Sequence, residues 1–285
     1  MGDFGYVKPG NLKELLEVKK ELKGSGYLLA GGSNLLVYIK ERTVREGTLI
    51  DIADLEELKY IEKKNGNIAI GACETITSLM KSDLLNESVP FFTESLHDFA
   101  NPLIRNKATV GGNLADASPV ADTAPPLLVL DARAKVSSAN GSKEIPLEEF
   151  FTGPRKNCLK AEEILESIQF PVPERGVGTY IKFGLREGTS IAVTSVALWL
   201  VESEGKVEDI RIALGGVAPK PVRARKTESL FKGEKLDENS IEKLSEELAE
   251  DMSPISDVRG SAEYRKELTI NLLRKAIRRC IGMEE

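Results

Sequence analysis

Two glycine pairs, each edged by small hydroxyl or amide side chains, constrain this chain more than any other feature: Ala30-Gly31-Gly32-Ser33-Asn34 and Thr109-Val110-Gly111-Gly112-Asn113. Glycine lets a backbone turn with its N–H groups facing outward, and it admits a phosphate oxygen where a Cβ would stand in the way. One such pair alone is compatible with a plain tight turn. Two together can clamp a pyrophosphate from both sides. Neither pair is a Walker loop, because no Lys-Ser or Lys-Thr follows at the required spacing, and neither matches the Gly-x-Gly-x-x-Gly dinucleotide fingerprint.

Composition narrows the ligand further. A formal charge of -6 over 285 residues argues against nucleic acid as a partner, which would call for a concentrated basic face. The basic cluster from Arg274 to Arg279 sits near the end of an expected helix, where cations suit the helix C-terminus. The segment MGDFGYVKPGN has no charged region followed by an apolar core, and no apolar run reaches bilayer length, so a cytoplasmic protein without a membrane span is expected. Cys73, Cys158 and Cys280 are too few and too scattered for an iron-sulfur cluster. His97 is the only histidine, which removes most zinc, non-haem iron and Ser-His-Asp chemistry. No residue in the sequence demands a catalytic role or a metal.

Along the chain, Asn11 and Glu14 resemble a capping box before a helix that stops at Gly24-Ser25-Gly26. Tyr27 to Ala30 reads as a strand leading into the first glycine pair, and Leu35 to Ile39 reads as another, followed by Thr48 to Ile52. Asn65-Gly66 and Asn140-Gly141 mark hairpins. Thr75 to Leu85 and Phe91 to Ala100 read as helices; Leu127 to Leu130, Lys135 to Ser137 and Glu163 to Phe170 read as strands. Pro171 and Pro173 with Gly176 and Gly178 mark a domain boundary. Beyond it come three antiparallel strands, Thr179 to Leu185, Ala192 to Val201 and Val207 to Leu214, then helices at Asn239 to Asp251 and Ser261 to Ile281. The last should bury a stripe of Tyr264, Leu268, Leu272, Ala276 and Cys280. Strands and helices mix without a sustained strand-helix-strand repeat, which favours an α+β fold over a doubly wound sheet.

The run Ile104-Arg105-Asn106-Lys107-Ala108-Thr109-Val110-Gly111-Gly112-Asn113-Leu114-Ala115, continuing through Ala117-Ser118-Pro119-Val120-Ala121-Asp122, closely resembles the FAD-binding signature of the medium subunit of molybdenum hydroxylases. That family includes the carbon monoxide dehydrogenase flavoprotein and the flavin domain of xanthine dehydrogenase. Ala30 to Leu36, Tyr180-Ile181-Lys182-Phe183 with Arg186 and Ile191-Ala192-Val193, and Ser256-Asp257-Val258-Arg259 with Tyr264-Arg265 fit it in the same order, so the resemblance spans nearly the whole chain. It implies a vanillyl-oxidase (PCMH)-type FAD-binding domain of two subdomains over residues 1–175. A small C-terminal α+β domain, a three-stranded antiparallel sheet with helices, would occupy 176–285.

It also implies one FAD, with Ala30, Gly31, Gly32, Ser33 and Asn34 and then Thr109, Gly111, Gly112 and Asn113 along the pyrophosphate and ribityl chain, mostly through backbone amides. Phe99 would pack near the isoalloxazine, Ser118 and Asp122 would hydrogen-bond polar parts of FAD, and Leu165 and Lys182 would approach the ring. Asp122 could equally cap the apolar run from Thr123 to Leu130, Phe99 could be ordinary core, and Lys182 could be a solvent-facing strand residue. The implied partners are an iron-sulfur small subunit and a molybdenum-cofactor large subunit, with NAD(H) among the candidate electron acceptors.

The first loop also resembles that of enolpyruvyl-UDP-sugar reductase, a stand-alone flavoenzyme. The second motif separates the two, because Ile104-Arg105-Asn106-Lys107 replaces the Gly-Ile-Pro-Gly approach expected of the reductase. Covalent flavin oxidases tether FAD near the first loop, where His97 and Cys73 do not stand. A flavin-free assembly subunit is the non-enzymatic alternative, and two intact glycine loops argue against it.

Overall fold

The structure, a computed structural model, describes residues 3–186 and 188–283. Its N-terminal part begins with a three-stranded parallel sheet in the spatial order Phe4–Val7, Gly47–Asp51, Gly26–Leu29. The helix Leu12–Leu22 makes the crossover to Gly26–Leu29, started by the Asn11 side chain, which accepts from the Glu14 amide at 2.9 Å. Glu14 reaches back to the Gly10 N–H at 2.7 Å rather than to that of Asn11, so the capping box is only half formed. Leu15 and Ile50 are fully buried between helix and sheet.

A five-stranded antiparallel sheet follows, ordered Ile61–Lys64, Asn67–Gly71, Ile164–Pro171, Arg133–Ser138, Gly141–Pro146. Both expected hairpins form in it, one turning at Asn65-Gly66 and the other at Ala139-Asn140, with Gly141 already paired to Ser138. Asn65 and Gly66 take φ of 52° and 78°, the pair of positive values that matches the twist of the flanking strands. The middle strand Ile164–Pro171 arrives last and joins the two hairpins into one sheet.

The C-terminal sheet is antiparallel, ordered Val177–Gly184, Ala192–Ser203, Lys206–Gly215, Val222–Arg223, so a short fourth strand is added to the three expected. Ala192–Ser203 is buried along its first ten residues because both its faces are covered. Val196, Leu198 and Leu200 point into a core closed by the helix Ala262–Cys280, while Ala197, Trp199 and Val201 join the core of the N-terminal part. There Trp199 meets Phe91 at 5.6 Å between ring centroids, and the absent Cβ of Gly178 leaves room for the same phenyl ring. Among the described residues no helix is long and apolar enough to cross a membrane.

Several local expectations are corrected. Leu35 to Ile39 is not a strand but most of the helix Leu35–Lys40. The chain leaves the parallel sheet after Leu29, and from Leu36 onward its amides pair along the chain, Leu36 N–H with the Gly32 carbonyl at 3.1 Å and Tyr38 N–H with that of Asn34 at 3.0 Å. Leu127 to Val129 is likewise helical, the end of Ala124–Val129 with Leu130 as its C-cap, where Pro125 and Pro126 occupy the first turn and all six helix residues are buried. A short run buried on every side carries no periodicity to tell strand from helix. The helix expected over Thr75 to Leu85 is two, Ile76–Met80 and Asp83–Ser88, each with its own cap, Thr75 and Ser82. Phe91 to Ala100 splits into the helix Pro90–Ser95 and a 3₁₀ turn Leu96–Asp98. On the last helix Leu272 and Ala276 of the expected stripe are buried and Leu268 and Cys280 are partly so, but Tyr264 is 42% exposed, and the buried face is rotated to take in Arg265, Thr269, Leu273 and Ile277. Two polar residues enter that face because partners wait there. Arg265 donates to the Val193 and Gly216 carbonyls and to Asp257, and Thr269 pairs with Thr194 at 2.7 Å.

Candidate functional site

The two glycine pairs face one another across a cleft of about 540 Å³. The first loop leaves the strand Gly26–Leu29, turns at Gly32 with φ of 69°, and runs into the helix Leu35–Lys40. The amides of Gly31, Gly32, Ser33, Asn34 and Leu35 have no hydrogen-bond partner among the described residues. Consecutive unpaired N–H groups on a concave loop form a nest for an anionic oxygen. The second loop is built differently. Gly111 N–H donates to the Ala72 carbonyl and Val110 N–H to that of Glu74, both at 3.0 Å, and Gly112 N–H donates to the Thr109 hydroxyl, also at 3.0 Å. Its amides are committed to holding the helix Val110–Ala115 against the five-stranded sheet. What it presents is the Thr109 N–H and the side-chain amide of Asn113, whose Oδ1 accepts from the Thr123 hydroxyl at 2.6 Å while Nδ2 has no partner among the described residues. The first loop thus leaves its backbone amides free toward the cleft, and the second spends most of its own on the fold.

The glycines themselves divide the same labour twice. A Cβ on Gly31 would stand 1.8 Å from the Lys107 carbonyl oxygen, and one on Gly111 would stand 2.6 Å from that of Ala72. The first glycine of each pair thus permits backbone to pack on backbone, and Gly31 locks one loop to the approach of the other. Gly112 is exposed, and a Cβ there would meet only the Thr109 hydroxyl, at 2.9 Å.

Ala30 to Asn34, Thr109, Gly111, Gly112, Asn113, Phe99 and Leu165 all line the cleft. Phe99 is at the same time core, 7% exposed within the main hydrophobic cluster. Ser118 does not line it; its hydroxyl accepts from the Val120 amide at 3.4 Å. Asp122 and Lys182 stand beside the cleft rather than in it. Asp122 does not cap the helix Ala124–Val129, and Lys182 does not face solvent, its side chain being 4% exposed. Lys182 Nζ donates to Asp122 Oδ2 at 2.9 Å and to the Asp98 carbonyl at 2.8 Å, and the Tyr180 hydroxyl donates to Asp122 Oδ1 at 3.2 Å. Burial pushes the Asp122 carboxyl up, opposed by the Lys182 ammonium, and burial holds the Tyr180 phenol well above its ordinary value, so it remains a donor. Lys182 and Asp98 also border a second cavity, formed with Phe183 and Gly184 of the C-terminal sheet and Leu185, Arg186 and Gly188 to Ser190 of the loop that follows. Since Phe99 follows Asp98, the two cavities adjoin.

Sequence reasoning missed Leu28, Ile52 and Ala72 of the apolar lining, and it missed Tyr38 and Asp116. Tyr38 was hidden by reading its segment as a strand. On a helix it follows the first loop by one turn, and that spacing is the signal that could have found it. The Tyr38 hydroxyl donates to Asp116 Oδ1 at 2.6 Å; burial and that bond push the phenol up to about 12.

Residues 2–173 match the model of the FAD binding domain in molybdopterin dehydrogenase, and residues 179–280 that of the CO dehydrogenase flavoprotein C-terminal domain. The chain is 32% identical to the glyceraldehyde dehydrogenase medium chain of Sulfolobus acidocaldarius over 278 residues, 97% of this chain and 98% of that one. It is 32% identical to the xanthine dehydrogenase FAD-binding subunit of Escherichia coli O157:H7, covering 90% and 88%. Reconstituted CO dehydrogenase from Oligotropha carboxidovorans superposes with a TM-score of 0.95 at 29% identity over 99% of both chains. The cleft suits such a cofactor on its own geometry: a nest of free amides for phosphate oxygens, apolar walls for a ring system, and glycines that keep Cβ atoms out of the way. The chain belongs to the FAD-binding medium subunits of the molybdenum hydroxylases, an oxidoreductase family, and its cofactor is FAD.

Proposed function

We propose that this chain is the electron relay of a three-component molybdenum hydroxylase, working in the cytoplasm between an iron-sulfur small subunit and a soluble acceptor such as NAD, with a molybdenum-cofactor large subunit carrying the substrate chemistry. FAD, when bound, accepts electrons singly from iron-sulfur centres and passes them on singly or as a hydride. The observation that carries the reading is the nest of unpaired amides from Gly31 to Leu35 opening on a cleft walled by Phe99 and Leu165. In this reading Ala30 to Asn34 hold the pyrophosphate, Thr109 and Asn113 hold polar atoms next to it, and Gly112 leaves them room. Phe99 and Leu165 shield the ring from water. Residues 1–175 form the cofactor-holding unit and 176–285 the unit that closes over it, with Lys182 and Asp122 joining the two beside the ring. Three scattered cysteines leave the chain without a cluster of its own, which supports a partner that carries one.

The test is an absorption spectrum of the purified chain, with chromatography of what it releases on denaturation. A band at about 450 nm and intact FAD are expected, together with reduction by NADH and recovery of iron-sulfur and molybdenum chains in a pull-down from the native host. A colourless chain that refuses added FAD would sink the relay, and a flavoprotein that captures no such chains would sink the complex.

A further inference from the structure

The cleft holds a charge of the wrong sign for a pyrophosphate. Among its lining residues none is lysine or arginine, and the one charged group is the carboxylate of Asp116. An acid beside a phosphate dianion would repel it, so the carboxylate has to meet a part of the ligand that offers hydrogen-bond donors. Its position says which part. Asp116 ends the helix Val110–Ala115, one turn beyond Gly112, and Tyr38 lies one turn beyond the first loop. The two side chains meet across the cleft at 2.6 Å, a step past the phosphate-binding turns on both sides.

The carboxylate is held in place. Tyr38 donates to Oδ1, Arg155 donates to the Tyr38 hydroxyl, and the Arg155 guanidinium lies 5.0 Å above the Tyr38 ring. Arg155 is itself anchored by its N–H to the Ala117 carbonyl at 2.9 Å. Asp116 Oδ2 has no partner among the described residues, which leaves one oriented acceptor on the cleft wall. In FAD the group that follows the pyrophosphate on the side away from the flavin is adenosine, whose ribose hydroxyls and amino group are all donors. An acidic side chain on ribose hydroxyls is a recurring way of reading a dinucleotide.

We propose that Asp116, positioned by Tyr38, is a specificity-determining residue that accepts a hydrogen bond from the adenosine half of FAD and so selects FAD over FMN. The inference rests on the cleft being the FAD site. Full-length chain stripped of flavin is titrated with FAD and with FMN, following quenching of flavin fluorescence, for wild type, Asp116→Asn and Tyr38→Phe. Asparagine keeps an oxygen for Tyr38 but turns the free acceptor into a donor. FAD affinity should fall about tenfold in Asp116→Asn and by a smaller factor in Tyr38→Phe, with FMN affinity unchanged in both. Unchanged FMN binding also shows that the variants are folded. Equal FAD affinity in Asp116→Asn and wild type would overturn the proposal, as would a parallel loss for FMN. Tighter binding of FAD in Asp116→Asn would also overturn it, by placing the carboxylate against the phosphates. Wild type that binds neither flavin would overturn the reading of the cleft itself.

Discussion

The first glycine loop gives its amides to the cleft, and the second gives its amides to the fold. Among the described residues the amides of Gly31 to Leu35 donate no hydrogen bond, whereas those of Val110, Gly111 and Gly112 donate to Glu74, Ala72 and Thr109. Two sequence pairs that look alike therefore do different work, and the difference lies in their surroundings. The first loop follows the end of a parallel strand, where no acceptor among the described residues meets its N–H groups. The second runs antiparallel beside Glu74 to Ile76 and is drawn into that pairing. A ligand site assembled this way has one soft wall, which a ligand completes, and one hard wall, which the protein has already completed.

The comparison breaks most visibly at the glycines that lock backbone to backbone. Gly31→Val puts a branched side chain where the Lys107 carbonyl stands 1.8 Å from the Cβ position, so the loop and the segment facing it cannot both keep their places. Destabilisation of more than about 4 kcal/mol is expected, read as loss of soluble chain and of a cooperative melt. A folded Gly31→Val that merely binds flavin weakly would mean the loop is soft on that side too.

Next in size is a contact outside both loops, where N- and C-terminal parts meet. Lys182→Met leaves the Asp122 carboxyl buried without its counter-charge, at a cost of about 3–5 kcal/mol. Asp122 is already raised by burial and lowered mainly by Lys182, so in this variant its folded value rises further above the unfolded one. The sign follows from linkage. The variant keeps its stability below the ordinary carboxylate range and loses it as pH climbs through the raised folded value. Urea melts at acid and neutral pH should show Lys182→Met losing more than wild type as pH rises, and Lys182→Met with Asp122→Asn should remove that slope. A slope that survives in the double variant would assign it to another group.

Gly112→Val separates ligand from fold. The only obstacle to its Cβ is the Thr109 hydroxyl, so the chain should fold with a midpoint a few degrees lower while FAD affinity drops about tenfold or more. Full flavin retention would show that nothing approaches the second loop there. The smallest effect compares the two helix starts. Thr109→Val removes the bond to the Gly112 N–H and should destabilise by about 1 kcal/mol. Asn34→Ala removes no capping bond, because the Asn34 side chain makes none, and should change the stability of the flavin-free chain by less than about 0.5 kcal/mol. Equal losses from the two substitutions, measured by thermal melts, would erase the distinction between the loops.

Much of this molecule is legible before it is folded. Asn65-Gly66 announces its hairpin because the turn's backbone conformation is a property of the two residues in it, and Asn140-Gly141 marks the second hairpin, although the turn there is Ala139-Asn140 and Gly141 opens the return strand. The strands from Thr179 onward are readable as apolar, β-branched runs bounded by turns, even though Ala192–Ser203, covered on both faces, is buried without alternation, and the glycine pairs with their hydroxyl and amide neighbours mark the cleft. Leu35 to Ile39 and Leu127 to Leu130 were not legible. Each is a short apolar run whose form depends on whether a strand edge or a buried niche lies beside it.

The chain's own sequence determined where the turns fall, where the paired glycines stand, and the family signature that names the cofactor. Only the tertiary structure decided which loop keeps its amides free, that Lys182 turns inward to Asp122, and that Tyr38 meets Asp116. Turn preference and side-chain period are set within a few residues. The partner of a buried amide or charge is set by segments far away in the chain, and no local pattern carries that information.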